Sequence, residues 1–155
     1  MKGDEPALLD LRKRPATDAD AEFIFECIKR ALGPHVIATY GPWDEDWQRK
    51  NFSRTTDPRS HEIIEVSARP AGCLFVEDCD ACLELHRILL LPEFQNRGVG
   101  TRLIRELLSE ALATRKRVRL RVFRVNPARR LYERLGFRVV GENRTHVSME
   151  ALGGT

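Results

Sequence analysis

The chain has little of what several protein classes depend on. Of its 155 residues, four are cysteine and 7% are aromatic, and so few cysteines in a chain of this length do not make a disulfide scaffold. Nowhere do about 18 apolar residues follow one another, so no membrane span is predicted. The first residues, MKGDEPALLD, lack the apolar core of a signal peptide. We therefore expect a cytoplasmic protein.

Two of the cysteines, Cys79 and Cys82, form a Cys-x-x-Cys pair in the sequence CDAC. No second pair and no Cys/His cluster follows to complete a zinc site. We interpret the pair as part of a β-hairpin and expect no metal centre.

The net charge of +3 is too small to indicate a nucleic-acid or membrane partner, but the charge is unevenly distributed. From Arg115 to Arg138 there are ten basic residues and one acid, Glu133. Such a local field attracts polyanions, among them phosphate-bearing cofactors and nucleic acids. Few aromatic residues are interleaved with these arginines, so we expect no nucleic-acid partner and no membrane partner.

Hydrophobic periodicity and turn residues predict the element order β-α-α-β-β-β-α-β-α-β-β. This order favours the α/β class, as one mixed sheet with helices on both faces. The predicted strands are Leu8–Arg14, His61–Val66, Ala71–Glu77, Cys82–Leu91, the alternating run from Arg117 to Val122, Arg138–Gly141 and Arg144–Ala151. The predicted helices run from Thr17 or Asp18 to a stop at Gly33-Pro34, over WDEDWQRKNF after Pro42, over 98–116, and from Asn126-Pro127 to Gly136.

Two local patterns carry more specific expectations. The run Ile88–Leu91 is apolar without alternation, which is typical of a strand buried on both faces. In the second helix, Trp43 and Trp47 are expected to be core or interface residues. The acidic cluster Asp44–Asp46 either attracts a cationic amine or complements the helix dipole.

The most informative segment, LELHRILLLPEFQNRGVG, runs from Leu83 to Gly100. A β-prone run is followed by a proline and then by a glycine turn that opens a helix. This order places free backbone N–H groups at a helix N-terminus, where proteins bind phosphate. The G-V-G does not extend to a Rossmann G-x-G-x-x-G, and the chain has no G-x-x-x-x-G-K-[ST].

Two motifs in sequence resemble those of the GNAT superfamily of N-acetyltransferases. Gln95–Gly100 fits the Q/R-x-x-G-x-G/A signature of the acetyl-CoA site, and NPARRLYERLGF follows after an intervening helix and strand. The resemblance is strong over about 82–141, weak over 11–25, and fades over 31–60, which corresponds to the acceptor-binding lip. It implies a GNAT acyl-CoA N-acyltransferase fold over 1–155 as a single domain, with acetyl-CoA as co-substrate and often a homodimer.

The resemblance also implies a set of cofactor-binding residues. The main chain of Ile88 and Leu90 would pair with the pantetheine arm, and the Ile88 N–H would polarise the thioester carbonyl. Asn126 would contact the CoA arm, although an Asn before Pro at a helix start is also a simple cap. The pyrophosphate would be bound by the loop residues Gln95, Asn96, Arg97, Gly98, Val99, Gly100 and Thr101.

Three residues are candidates for the chemistry. Tyr132 matches the family tyrosine that protonates the leaving thiolate, and packing on an apolar helix face is the alternative. Glu84 matches the strand position of the catalytic glutamate, which acts on the amine through water, and an exposed strand glutamate is the alternative. His86 shares the face of Glu84, so it is either a rival base or a partner in the same relay.

These residues favour an N-acetyltransferase that transfers acetyl from acetyl-CoA to a primary amine by direct attack in a ternary complex. No cysteine or serine near the motifs is an obvious covalent nucleophile. The acceptor is an amine of a small molecule, a peptide or a protein. The alternative is a CoA-binding sensor or regulatory module with little catalysis.

Overall fold

A computed structural model describes residues 10–153. Its α-helices are α1 (Ala21–Cys27), α2 (Gly33–Tyr40), α3 (Glu45–Thr55), α4 (Val99–Ala113) and α5 (Ala128–Arg134). Its strands are β1 (Leu11–Pro15), β2 (Glu62–Val66), β3 (Arg69–Cys79), β4 (Cys82–Leu90), β5 (Arg117–Phe123), β6 (Arg138–Glu142) and β7 (His146–Leu152).

The seven strands are hydrogen-bonded in the order β1-β2-β3-β4-β5-β7-β6. β4 pairs with β5 in parallel, from Cys82↔Arg117 to Leu85↔Leu120, whereas the pairs β1–β2, β2–β3, β5–β7 and β6–β7 are antiparallel. The sheet is therefore mixed, which confirms the fold class expected from the element order.

The described residues form two compact units. The first contains the residues up to Phe75 together with Arg87–Gly100, and the second contains Val76–His86 together with the residues from Thr101 onwards. In the first unit, Phe25 packs against Phe52 with ring centroids 5.5 Å apart. The second unit is built on the alternation of β5, in which Val118, Leu120 and Val122 are buried and the arginines between them are exposed.

The first helical segment does not stop at Gly33-Pro34, so this expectation was wrong. A π-helical turn over Ile28–Leu32 follows α1, and the Gly33 N–H binds the carbonyls of Ile28 and Lys29. Pro34 then lies in the first turn of α2, directly after the π turn. The helical segment ends at Gly41, whose φ of 99° is left-handed.

β3 also begins earlier than predicted, at Arg69 rather than at Ala71. The chain turns at Ser67 and Ala68, both with positive φ, as a two-residue hairpin requires. Pro70 lies inside β3 next to a register shift, a position at which a strand tolerates proline. β1 begins at Leu11, and the first residues of the predicted strand Leu8–Arg14 lie outside the described residues.

Burial corrects two side-chain expectations. Leu89 and Leu91 are buried, but Ile88 and Leu90 are only half-buried, so this part of β4 is not buried on both faces. Trp47 is 55% exposed and is not a core residue. On α4, one apolar stripe is buried, and its members are Leu103, Ile104, Leu107, Leu108 and Ala111, whereas Leu112 is 53% exposed.

β3 approaches β4 most closely at Gly72. A Cβ added to Gly72 would lie 2.0 Å from the carbonyl oxygen of Leu89, a distance that no side chain can accommodate. The Leu91 N–H binds the Ala71 carbonyl at 2.8 Å beside this contact. Glycine is therefore required here because two backbones meet, not because a turn needs conformational freedom.

Replacing Gly72 with alanine is expected to destabilise the protein. The new methyl group must displace the Leu89 backbone, so we expect the free energy of unfolding to fall by about 1–3 kcal/mol. Denaturant unfolding measures this. Gly141→Ala is the matched control, since a Cβ at Gly141 meets nothing within 4 Å. Equal stability of the two variants would contradict the close approach at Gly72.

Candidate active site

The segment after β4 forms an exposed loop held between two buried anchors. A short 3₁₀ turn, Pro92–Phe94, leaves the strand, and α4 begins at Val99. Phe94 and Val99 are 3% and 1% exposed, whereas the residues between them, Gln95–Gly98, are exposed. The anchors position the loop and leave its main chain accessible.

The loop backbone has the geometry of an anion-binding turn. Asn96 and Gly98 are left-handed, with φ of 61° and 79°, and Asn and Gly are the residues that adopt this conformation at least cost. Left-handed residues in a turn direct successive N–H groups towards one concave side. The first N–H groups of the 15-residue α4 follow directly and have no helical partners. This arrangement fits the diphosphate of coenzyme A.

Gln95 connects the loop to the end of β4. Its side-chain amide donates to the Leu90 carbonyl at 2.9 Å, while the Leu91 N–H points to β3. Main-chain groups of successive strand residues face opposite edges. The main chain of Ile88 and Leu90 therefore faces away from β3, as a role in binding an extended ligand arm requires.

Two arginines lie beside the loop. The guanidinium groups of Arg69 and Arg97 lie 5.2 and 5.7 Å from the centroid of the Phe94 ring. The nearby carboxylate of Glu93 pairs with Arg30 at 3.0 Å. The positive charge of Arg97 is thus available for an anion at the loop.

In the second unit, Tyr132 is buried on α5. Its ring makes an edge contact with Phe137, with centroids 5.6 Å apart, and burial raises the pKa of its hydroxyl to about 12. Gly136, with φ of 97°, ends the helix, and the Phe137 N–H binds the Tyr132 carbonyl at 3.0 Å. Packing therefore fixes the ring, and the hydroxyl is protonated at physiological pH.

Asn126 caps α5, as its position before Pro127 predicts. Its side-chain oxygen accepts a hydrogen bond from the Ala128 N–H at 2.9 Å. A cofactor contact of Asn126 stays a prediction.

Glu84 and His86 lie on β4, and the structure adds a third residue. His86 Nε2 lies 3.0 Å from the Glu77 carboxylate, which orients the imidazole. Sequence reasoning missed Glu77. The signal was present in the two-residue turn between Cys79 and Cys82, because the strands on either side of so short a turn must pair. Cys79 and Cys82 are free thiols at this turn, which confirms the hairpin interpretation.

The acidic cluster Asp44–Asp46 takes part in the scaffold. Asp44 caps α3 by accepting a hydrogen bond from the Trp47 N–H at 3.1 Å. Glu45 accepts from the Trp43 indole at 2.9 Å and pairs with Lys29 and Arg49. These contacts lower the pKa of Glu45 to about 2. Of the two interpretations of the cluster, the helix-terminus one fits the contacts of Asp44.

A family model and several solved structures are similar to this chain. The acetyltransferase (GNAT) domain family model matches residues 58–139, and no curated protein sequence matches the chain. The PaiA N-acetyltransferase from Thermoplasma acidophilum in complex with coenzyme A is 20% identical, with a TM-score of 0.71 over 92% of this chain and 98% of that chain.

Two further solved structures share the fold. The ribosomal-protein-alanine N-acetyltransferase from Escherichia coli is 19% identical, with a TM-score of 0.67 over 94% of this chain and 95% of that chain. A spermidine N-acetyltransferase chimera from Vibrio cholerae and hSSAT is 20% identical, with a TM-score of 0.65 over 92% and 95%.

Over residues 10–153, no helix is long and apolar enough to cross a membrane. Within the same range, no group of three His, Cys, Asp or Glu side chains is arranged to hold a metal ion.

The family model matches more than half of the chain. The chain therefore belongs to the GNAT acetyltransferase family and is an acyltransferase.

Proposed function

We propose that the protein is a single-domain N-acetyltransferase that transfers acetyl from acetyl-CoA to a primary amine by direct attack in a ternary complex. The observation that carries this proposal is the exposed loop Gln95–Gly98, with its left-handed Asn96 and Gly98, leading into the N-terminus of α4. Such a loop suits the diphosphate of coenzyme A. A cytoplasmic location and a homodimer stay predictions of the sequence and the resemblance.

The donor is bound mainly through main-chain groups. The N–H groups of Gln95–Gly100, with Thr101, bind the diphosphate, and Arg97 adds positive charge. Ile88 and Leu90 offer main-chain groups to the pantetheine arm, and Asn126 contacts the same arm. The Ile88 N–H donates to the thioester carbonyl oxygen, on which negative charge develops as the amine attacks.

The reaction needs a base and an acid. Glu84 accepts, through water, the proton that the acceptor ammonium must lose before it attacks. The neutral nitrogen then bonds to the carbonyl carbon and the C–S bond breaks, with the departing sulfur taking a proton from Tyr132. The second proton that the nitrogen loses returns through solvent to Tyr132. Because burial holds the pKa of Tyr132 near 12, its hydroxyl first stabilises the sulfur as a hydrogen-bond donor, and transfer completes as the thiol forms.

The names of solved relatives indicate two classes of acceptor. Solved relatives are named for a ribosomal-protein alanine and for spermidine, so both protein and small-molecule amines are candidates for this chain. The deciding experiment incubates the protein with acetyl-CoA and a panel of amines and peptides, and measures release of free thiol. Tight CoA binding without turnover of any amine would instead support the sensor alternative.

Arg97→Gln is expected to raise the KM for acetyl-CoA about tenfold, because it removes a charge-assisted contact with the diphosphate. Steady-state kinetics at saturating acceptor measures this. Arg69→Gln is the matched control, since it removes the other arginine stacked on Phe94. Equal KM values for the two variants would contradict the role of Arg97.

Tyr132→Phe is expected to lower kcat by about 10²–10⁴-fold, the usual contribution of a general acid. The ring packing against Phe137 is kept, so the unfolding temperature should not change. Because the pKa of Tyr132 is raised to about 12, its hydroxyl keeps its proton up to about that pH. A loss of kcat caused by ionisation of Tyr132 should therefore appear only near pH 12. Tyr40→Phe is the control at an exposed tyrosine. Unchanged turnover of Tyr132→Phe would remove the general-acid role.

Glu84→Gln is expected to lower kcat by about 10²–10⁴-fold, since the amine must lose a proton before it can attack. His86→Ala and Glu77→Gln, which break the Glu77–His86 pair, should each have a smaller effect. Single-turnover rates with a good acceptor measure all three variants. A larger loss for His86→Ala than for Glu84→Gln would assign the base to His86.

A further inference from the structure

A positively charged side chain beside the proposed thioester site has no acidic partner in its unit. Arg87 of β4 is half-buried, and burial lowers the pKa of its guanidinium. Among the described residues of the first unit, no aspartate or glutamate pairs with it. Arginine stays charged in proteins, and a charge removed from water is costly unless it is paired.

Other arginines of the same unit are paired differently. The guanidinium of Arg14 binds both oxygens of the Asp20 carboxylate at 2.9 Å. Arg30 binds Glu93, and Arg49 binds Glu22 and Glu45. Carboxylates are therefore the usual partners of arginine here, and Arg87 departs from that pattern.

The contact that Arg87 does make is with a neutral group. Its Nη1 lies 3.1 Å from Nε2 of His61, and the other ring nitrogen, Nδ1, lies 3.2 Å from the Asp57 carbonyl oxygen. A carbonyl only accepts, so Nδ1 carries the proton and Nε2 accepts from Arg87. Burial, followed by the charge of Arg87, lowers the pKa of His61. The imidazole is neutral and leaves the charge of Arg87 uncompensated.

His61 is itself held firmly. It is 2% exposed, its ring packs 5.0 Å from that of Phe75, and its N–H binds the Pro58 carbonyl at 3.0 Å. Its carbonyl accepts from the Ala16 N–H at 3.0 Å. His61 is therefore a positioning residue that fixes the direction of the guanidinium, and Arg87 as a whole residue stays partly exposed.

We propose that Arg87 binds the carboxylate of the acceptor, so that the substrate is a small molecule carrying both an amine and a carboxylate, as an amino acid does. This inference rests on the proposed acetyl transfer. A planar guanidinium matches a carboxylate in shape, and one negative charge balances its own. Arg87 directly precedes Ile88, whose N–H we assign to the thioester.

The first test compares acceptors that differ only in the carboxylate. Amino acids and their carboxamides are assayed with acetyl-CoA on the wild type, Arg87→Gln and Arg87→Lys. We expect Arg87→Gln to lower kcat/KM for the acids by about 30-fold or more, chiefly through KM, and to leave the carboxamides unchanged. The kcat/KM of Arg87→Lys for the acids should be intermediate, since lysine keeps the positive charge but lacks the planar guanidinium that donates two parallel hydrogen bonds.

Arg12→Gln is the matched control, because it removes the same charge from an exposed arginine of the same unit. It should leave the ratio of acid to carboxamide unchanged. If Arg87→Gln weakens acids and carboxamides equally, Arg87 is a structural residue and the proposal is wrong.

The second test needs no turnover. Thermal unfolding is followed with N-acetylglycine and with N-acetylglycinamide, which mimic the product with and without its carboxylate. N-acetylglycine alone should raise the Tm of the wild type, and this rise should be absent in Arg87→Gln. No rise in the wild type overturns the carboxylate site. A rise without acetylation of any acceptor supports the site and contradicts the acetyl transfer.

Discussion

The backbone contact between β3 and β4 at Gly72 is the constraint on which the rest of the first unit depends. Because Gly72 has no side chain, the Leu89 carbonyl oxygen can lie within 2.0 Å of the position that a Cβ would take. The Leu91 N–H then reaches the Ala71 carbonyl, and this contact sets which main-chain groups of β4 face β3. Ile88 and Leu90 face the other edge, where Gln95 binds the Leu90 carbonyl. The absence of a side chain at Gly72 thus allows the close pairing of the two strands from which the loop follows.

Charged groups in the first unit serve mainly to hold the scaffold. The hydrogen bonds from Arg14, followed by that from the Thr17 backbone, lower the pKa of Asp20 to about 2. Glu45 is also held by several partners: its carboxylate accepts a hydrogen bond from the Trp43 indole and forms ion pairs with Lys29 and Arg49. Where carboxylates are already paired, they do not recognise a cationic acceptor. The role in acceptor binding that we propose is instead assigned to Arg87, whose contact is with the neutral His61.

Much of the fold was predictable because its signals are local. The alternation of arginine and aliphatic residues in β5, the apolar stripe of α4 and the cap at Asn126 all depend on residues within a few positions of one another. The errors arose at two irregularities of the backbone, a π turn and a register shift. The π turn before Pro34 continues a helix that Gly-Pro was expected to end, and Pro70 is accepted because a register shift with β2 lies beside it.

The sequence by itself determined the mixed α/β fold and the glycine loop at the start of α4, because periodicity, capping and turn chemistry act over short stretches. It also determined the family, through two motifs in order. Only the tertiary structure decided that Ile88 and Leu90 stay half-buried, that Glu77 orients His86, and that Arg87 meets a neutral His61. These contacts join residues from different elements, and the packing of those elements, rather than any local pattern, brings them together.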